Sequence, residues 1–280
     1  MLPAASGGGA EVTSEVKMPS RREGKILRSL SRRKGRERHG LFLAEGPNLV
    51  RELLDSELEV ALLLHTEEAA ADGNRRRTLD RLAERGAELR SVDPGTLSEF
   101  ADTVTPQGLL AVVRTPRRAL GDLPGGRLLV FDAVQDPGNF GTLVRTAEAM
   151  GVSAALALTG TVDPWNPKSV RAAAGSTFRV PVFEASWEEA RGRLRELDVE
   201  VWAADPLGEP VYGGGDSPDR LALVLGNEGR GVSTEVLDDA RRRVRVPTAG
   251  SVESLNVAVA GALLMDRIFG LRAAGGATAP

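Results

Sequence analysis

The sequence predicts an α/β protein, with a small α/β domain preceding a C-terminal, mostly parallel sheet that carries helices on both faces. Two patterns carry this expectation. Downstream of Arg127, short apolar runs alternate with helical stretches, the sign of parallel strands joined by crossover helices. Upstream, a shorter alternation runs from Leu41 to Val113. Between them Thr115–Gly126 (TPRRALGDLPGG) has Pro and Gly near both ends and no apolar periodicity, so residues 115–126 read as a linker.

Taken in order, residues 1–16 are small, Gly-rich and aperiodic, and are expected to form a disordered tail. Residues 17–114 are expected to form a basic arm and the small α/β domain. In it Leu41–Leu43 reads as a strand, and Pro47 opens a helix through Leu53 and Leu54, since proline suits the first helical turn. A strand at Val60–Leu64, a helix over Arg76–Arg85, a strand near Leu89, a short helix after Pro94 and a strand at Gly108–Val113 complete it.

Residues 127–272 are expected to form the second domain, and residues 273–280 a tail. Strands are expected at Arg127–Phe131, Ala154–Leu158, Phe178–Val182, Val199–Ala203, Leu221–Leu225 and Arg243–Val246. Helices are expected at Asn139–Met150, Lys168–Ala174, Ser186–Leu197, Val232–Ala240 and Ser254–Phe269. Asn139 stands where an N-cap belongs, and Ser186 with Glu189 has the spacing of a capping box.

Composition narrows the chemistry. There is no cysteine, which removes disulfides, thiolate nucleophiles and Cys-ligated metals. The only histidines, His39 and His65, lie in the first quarter of the chain, so the C-terminal domain works without imidazole and no metal site is expected. No run approaches the roughly 18 apolar residues of a membrane span, and no signal peptide is legible, so the expected location is cytoplasmic. The net charge is −3, yet Lys17–Arg38 holds ten basic side chains against two acidic ones. Arg21, Arg22, Lys25, Arg32, Arg33, Lys34, Arg36 and Arg38 are candidate phosphate contacts, with a solvated basic helix as the competing reading.

Ligands of such sheets bind at the carboxyl ends of strands, so three loops that follow strands matter most. In DAVQDPGNFGTLVRTAEAMG, from Asp132, Arg145 is the lone positive charge between Arg127 and Lys168. In LVLGNEGRGVS, from Leu223, three glycines surround Glu228, and Ser233 precedes a helix. The loop matches neither GxGxxG nor a P-loop. In VRVPTAGSVESLNVAVAG, from Val244, the polar Ser251, Glu253, Ser254 and Asn256 lead into an apolar helix. Capping explains Ser254 there but not Asn256 as well, and buried amides need partners.

In this order and spacing, Asn139–Arg145 (NxGxxxR), Leu225–Gly231 (LGNEGxG) and Ser254–Ala258 (SLNVA) resemble the SpoU/TrmH branch of the SPOUT-class RNA 2′-O-ribose methyltransferases. FLAEGPNLVREL resembles, less specifically, the small RNA substrate-binding domain many of them carry. The resemblance implies a SPOUT domain with a deep trefoil knot, an S-adenosylmethionine cofactor, and a homodimer with its active site at the subunit interface. It implies methyl transfer to a ribose 2′-hydroxyl in structured RNA, with rRNA preferred to tRNA. It makes Asn139, Arg145, Glu228, Ser254 and Asn256 the candidate catalytic centre. Leu225, Gly226, Asn227, Gly231, Val246, Ser254, Leu255 and Asn256 become candidate cofactor contacts. Arginine keeps its proton, so Arg145 is expected to act by charge, oriented by Asn139 and Glu228. The alternatives are a non-catalytic RNA-binding or ribosome-assembly factor of the same fold, and a nucleotide-dependent α/β enzyme.

Overall fold

The computed structural model describes residues 19–213, 217–249 and 254–270; the expected tails at 1–16 and 273–280, and Lys17, Ser251 and Glu253, lie outside these. In chain order the elements begin α1 (Arg21–Ser29), α2 (Arg33–His39), β1 (Leu41–Glu45), α3 (Pro47–Glu52), β2 (Val60–His65) and α4 (Glu67–Ala71). They continue α5 (Gly73–Glu84), β3 (Glu88–Ser91), α6 (Pro94–Ser98), β4 (Leu109–Arg114), β5 (Arg127–Asp132) and α7 (Pro137–Ala149). Then come β6 (Ala154–Leu158), α8 (Pro167–Ala173), α9 (Ser176–Arg179), β7 (Val182–Ala185), α10 (Trp187–Glu196) and β8 (Glu200–Pro210). The last are β9 (Leu221–Gly226), α11 (Thr234–Asp239), β10 (Arg242–Arg245) and α12 (Val257–Phe269). No described helix is long and apolar enough to cross a membrane.

The chain divides into two compact units. The first takes the described residues up to Arg117 together with Trp165–Arg179; the second takes Arg118–Pro164 and the described residues from Val180 onward.

In the first unit the strands run β1-β4-β2-β3, antiparallel except for β2 beside β3. Alternate side chains of a strand face opposite ways, so the sheet has two apolar faces. On one, Leu27 and Leu30 of the α1 segment pack with Leu41, Leu43, Leu62 and Leu64. On the other, Leu49, Leu79 and Leu82 of α3 and α5 pack with Phe42, Ala44 and Leu63. Trp165, Val170 and Phe178 join this second cluster, with the Trp165 ring 4.7 Å from that of Phe42. The sequence-based division counts these residues with the C-terminal domain; their aromatic burial lies in the first unit.

The basic segment is part of this fold. Leu27 and Leu30 are fully buried, and Arg90 holds α1 to β3 through Glu23 at 3.1 Å and through Glu88. Partial burial disfavours the Glu23 carboxylate, but Arg90 and the Ser20 cap outweigh it and bring its pKa down to about 2. Arg36 is 4% exposed and donates to the Leu30 carbonyl at 2.8 Å, so it braces the fold and presents no charge to a phosphate. Arg33 pairs with Glu37, and Arg28 with Glu99. Arg21, Arg22, Lys25, Arg32, Lys34 and Arg38 remain exposed.

In the second unit six strands run β10-β8-β9-β5-β6-β7, every neighbouring pair parallel. α7 and α12 bury Leu143, Val144, Leu264 and Met265 on one face, and α10 and α11 bury Ala190, Leu194 and Val236 on the other. Central β9 is buried at all six positions, as a strand covered on both sides must be.

Two elements differ from expectation. The strand placed at Phe178–Val182 is helix α9 up to Arg179, and the strand starts at Val182. Phe178 is drawn into the first unit's core, and Pro181 has no N–H to give a ladder. β8 extends past Ala203 to Pro210, and its pairing with β10 jumps from Ala203 to Glu209, so Ala204–Gly208 bow out of register.

Candidate functional site

The carboxyl ends of β5, β8, β9 and β10 meet in the second unit, and the three expected loops meet with them. The β5 loop is set by its first residues. Asp132, 8% exposed, accepts from the Ser233 N–H at 2.6 Å and so ties the β5 end to the start of α11. Ala133 follows with φ of 58°, held by a bond from its N–H to Thr161 Oγ1 (3.2 Å) and one to its carbonyl from Asn227 Nδ2 (2.9 Å). The cap of α7 is Asp136, which accepts from the Asn139 N–H at 2.7 Å, and Pro137 occupies the first helical position. Asn139 is therefore inside the first turn, not the cap expected of it, and its amide is free to reach outward.

That amide is the hub of a relay between the loops. Asn139 Nδ2 donates to Glu228 Oε1 at 3.1 Å, and Asn139 Oδ1 accepts from Asn256 Nδ2 at 3.0 Å. The Glu228 carboxylate also accepts from the Asp136 N–H (3.1 Å) and the Gln135 N–H (3.2 Å). Burial opposes its ionisation, but the Asn139 amide and the backbone donors prevail and hold its pKa below the usual glutamate value. Asn256 is the N-cap of α12, accepting from Ala258 N–H (2.9 Å) and Val259 N–H (3.3 Å). The cap expected at Ser254 thus falls to Asn256, which caps with its oxygen and joins the relay with its nitrogen.

A lowered carboxylate pKa gives a signed expectation. Glu228 supports the fold above the pKa of an unfolded glutamate, and this support is lost as pH falls through its lower folded value. Glu228→Gln keeps the shape but removes the titration. Thermal melts on the acid side should show a shallower loss of Tm in the variant, and parallel curves would deny Glu228 this role.

Beside the relay lies a cavity of about 350 Å³, lined among others by Leu225, Gly226, Gly231, Val246, Ser254 and Leu255. Its floor needs glycine: a Cβ on Gly226 would lie 2.2 Å from Gly231 C and Val232 N. The loop closes on itself through paired bonds between Asn227 and Gly231 at 3.0 and 2.9 Å. Asn227 spends its side-chain oxygen on the Gly229 and Arg230 N–H groups, so it shapes the cavity wall. Gly261 lets α12 approach, a Cβ there falling 2.4 Å from Leu143 Cδ2 and 2.6 Å from Leu225 Cδ1.

Of the expected site residues, Asn139, Glu228 and Asn256 form the relay, and Leu225, Gly226, Asn227, Gly231, Val246, Ser254 and Leu255 line the cavity with Glu228. Asn256 is not among the lining residues. Arg145 is exposed on α7 and has no hydrogen bond or ion pair among the described residues, so neither Asn139 nor Glu228 orients it within the chain. The bowed Ala204, Asp205 and Pro206, also lining the cavity, are absent from the sequence-based candidates. The rule that loops after parallel strands carry function points at them too, since they follow Ala203. Among the described residues no cluster of His, Asp or Glu could hold a metal.

Comparison with known proteins agrees with this geometry. Residues 126–266 match the SpoU rRNA Methylase family, and residues 23–111 match the MRM3-like substrate binding domain. The chain is 34% identical to the 23S rRNA (guanosine(2553)-2′-O)-methyltransferase RlmP of Bacillus subtilis, over 88% of this chain and 95% of that protein. The AdoMet-bound rRNA methyltransferase of Sinorhizobium meliloti superposes with a TM-score of 0.78 at 29% identity, covering 87% of this chain and 92% of that one. The SpoU methyltransferase AviRb of Streptomyces viridochromogenes, in complex with AdoMet, superposes with a TM-score of 0.79 at 26% identity, over 89% and 97%. The chain belongs to the SpoU rRNA methylase family.

Proposed function

We propose that this protein transfers a methyl group from S-adenosylmethionine to a ribose 2′-hydroxyl of rRNA, of the 23S type in preference to tRNA. The observation that carries this is the Asn139–Glu228–Asn256 relay standing beside the glycine-floored cavity. The volume is in the range of small-molecule pockets, roughly 300–1,000 Å³. Its lining suits S-adenosylmethionine, with apolar Leu225, Val246 and Leu255 for the adenine and the glycine loop's exposed backbone for polar groups. When bound, that cofactor supplies an electrophilic methyl carried on a sulfonium.

The residues of this chain do the positioning. Gly226 and Gly231 bring backbone close to the cavity, and Asn256 fixes the start of α12 against it. Glu228 is engaged by the Asn139 amide and two backbone N–H groups, which orders the loop and makes it a weak base. The 2′-hydroxyl proton therefore leaves to water or to an RNA phosphate. Arg145, exposed and without a partner among the described residues, stabilises the oxygen as it becomes an alkoxide and positions phosphate. Ser254, at the cavity wall, orders the loop before α12.

The second unit is the catalytic domain and the first the RNA-binding domain, and the protein acts in the cytoplasm. The second unit carries the trefoil knot of a SPOUT domain, a reading that rests on the resemblance of its three motifs to the SpoU/TrmH branch. The working form is a homodimer. Val259 and Leu263 are 50% and 37% exposed on α12, apolar side chains that a second copy would cover. Phosphate contacts come from Arg21, Arg22, Lys25, Arg32, Lys34 and Arg38.

The test is transfer of radiolabelled methyl from S-adenosylmethionine to unmodified total rRNA and tRNA, with nucleoside analysis. A 2′-O-methylated nucleotide in rRNA is expected. Cofactor binding without incorporation into either RNA favours the non-catalytic assembly factor.

A further inference from the structure

We propose that the groove between α3 and α5 of the first unit is a separate binding surface for RNA backbone phosphates, distinct from the α1–α2 segment. This rests on the reading of the protein as RNA-binding. The groove encloses about 570 Å³ and is lined by Arg51, Arg75, Arg77 and Arg81 with the amides of Asn48 and Asn74. Four arginines thus line it against a single carboxylate-bearing residue, Asp72. That carboxylate is engaged as the α5 cap, accepting from the Asn74 and Arg75 N–H groups at 3.0 and 2.9 Å.

The arginines of α5 divide by use. Arg76 is neutralised by Asp80 at 3.0 Å, and Arg85 is committed to the carbonyls of Leu53, Leu54 and Ser56. Those facing the groove meet neutral oxygens instead. Arg77 donates to the Asn74 side chain, and Arg75 reaches the Gln107 carbonyl only at 3.4 Å. Arg51 lies 3.7 Å from Glu52, whose carboxylate holds Arg179 more closely at 2.8 Å. Arg81 has no partner among the described residues. Charge is thus concentrated and left largely uncompensated, the arrangement that planar guanidinium forks use for phosphate.

The lining holds no aromatic side chain, so the groove has no platform for stacking bases. It fits backbone recognised by charge and spacing, as in structured RNA. It also sits on the opposite face of the four-stranded sheet from α1, since Leu79 and Leu82 pack with Phe42 and Leu63 whereas Leu27 and Leu30 pack with Leu41 and Leu64. The α1–α2 cations and the groove therefore address different stretches of backbone.

The test is an R51Q/R77Q/R81Q variant, all three side chains exposed, checked for an unchanged melting temperature and cofactor affinity. Its binding to unmodified 23S rRNA transcript is titrated against salt. Three lost phosphate contacts should lower the slope of log K against log salt by about 2–3 and weaken binding about tenfold or more. An unchanged slope overturns the proposal, even if affinity falls. The readout is independent of methyl transfer. A lowered slope in a protein that never methylates RNA would keep the groove and discard the proposed activity. An unaltered slope in an active enzyme would do the reverse.

Discussion

Arg145→Ala is expected to lower methyl transfer about 100-fold or more while changing S-adenosylmethionine affinity less than about twofold. The two halves of this expectation have different sources. Arg145 does not line the cavity and bonds to no described residue, so its loss leaves the cofactor's surroundings intact. A charge aimed at a developing alkoxide counts mainly in the transition state, so its loss falls on turnover. Arg145→Lys supplies a check, because a lysine keeps the positive charge but not the fork and should restore only part of the rate. Single-turnover rates with calorimetric cofactor binding separate the outcomes. Full activity in Arg145→Ala removes the residue from the mechanism, and loss of cofactor affinity would make its role structural.

The exposure of Arg145 also shows where the sequence stopped being informative. The motifs pointed to loops that bring Asn139, Glu228 and Asn256 together, because strand-end loops in a parallel sheet converge by construction. They did not reveal who caps whom. Asp136 and Asn139 stand three residues apart and either could open α7; Pro137 at the first helical position decides for Asp136. Ser254 and Asn256 pose the same ambiguity, and Asn256 satisfies both the cap and the relay because an amide offers an acceptor and a donor together. Each misreading was a matter of two or three residues, within the range over which several polar side chains can reach the same orphan N–H groups.

Larger departures came from tertiary burial that local pattern does not encode. Arg36 reads as one of ten cations, yet its guanidinium satisfies the Leu30 carbonyl inside the fold. Phe178 lies in a run that suits a strand, but its ring partner is Phe42, far away in sequence. Nothing in the periodicity of residues 165–179 says which of two sheets they cover. The parallel direction of the strands in the six-stranded sheet, by contrast, follows from their alternation with helices, and was legible. The groove cations were hidden for another reason: Arg75, Arg77 and Arg81 sit among Asp80 and Glu84, and only the helix surface sorts the paired from the unpaired.

Gly226→Ala should be the most damaging conservative change at the cavity. The added Cβ would fall 2.2 Å from Gly231 C, 2.2 Å from Val232 N and 2.4 Å from Gly231 O. All three are backbone atoms, so no side-chain rotation relieves the contact. The loop would have to open, breaking the paired Asn227–Gly231 bonds and shifting Glu228 away from Asn139. Overpacking of this kind costs about 1–3 kcal/mol of stability. Cofactor affinity should fall as well, by about 100-fold, because the displaced backbone is the cavity wall itself. Gly229→Ala is the internal control: its Cβ would meet nothing closer than Asn227 Oδ1 at 3.7 Å, ordinary contact in the same loop. If both variants bound cofactor alike, either unimpaired or equally impaired, close approach at Gly226 would not be what shapes this site. A selective loss in Gly226→Ala, with Gly229→Ala close to wild type, would tie cofactor capture to one missing methyl group at the end of β9.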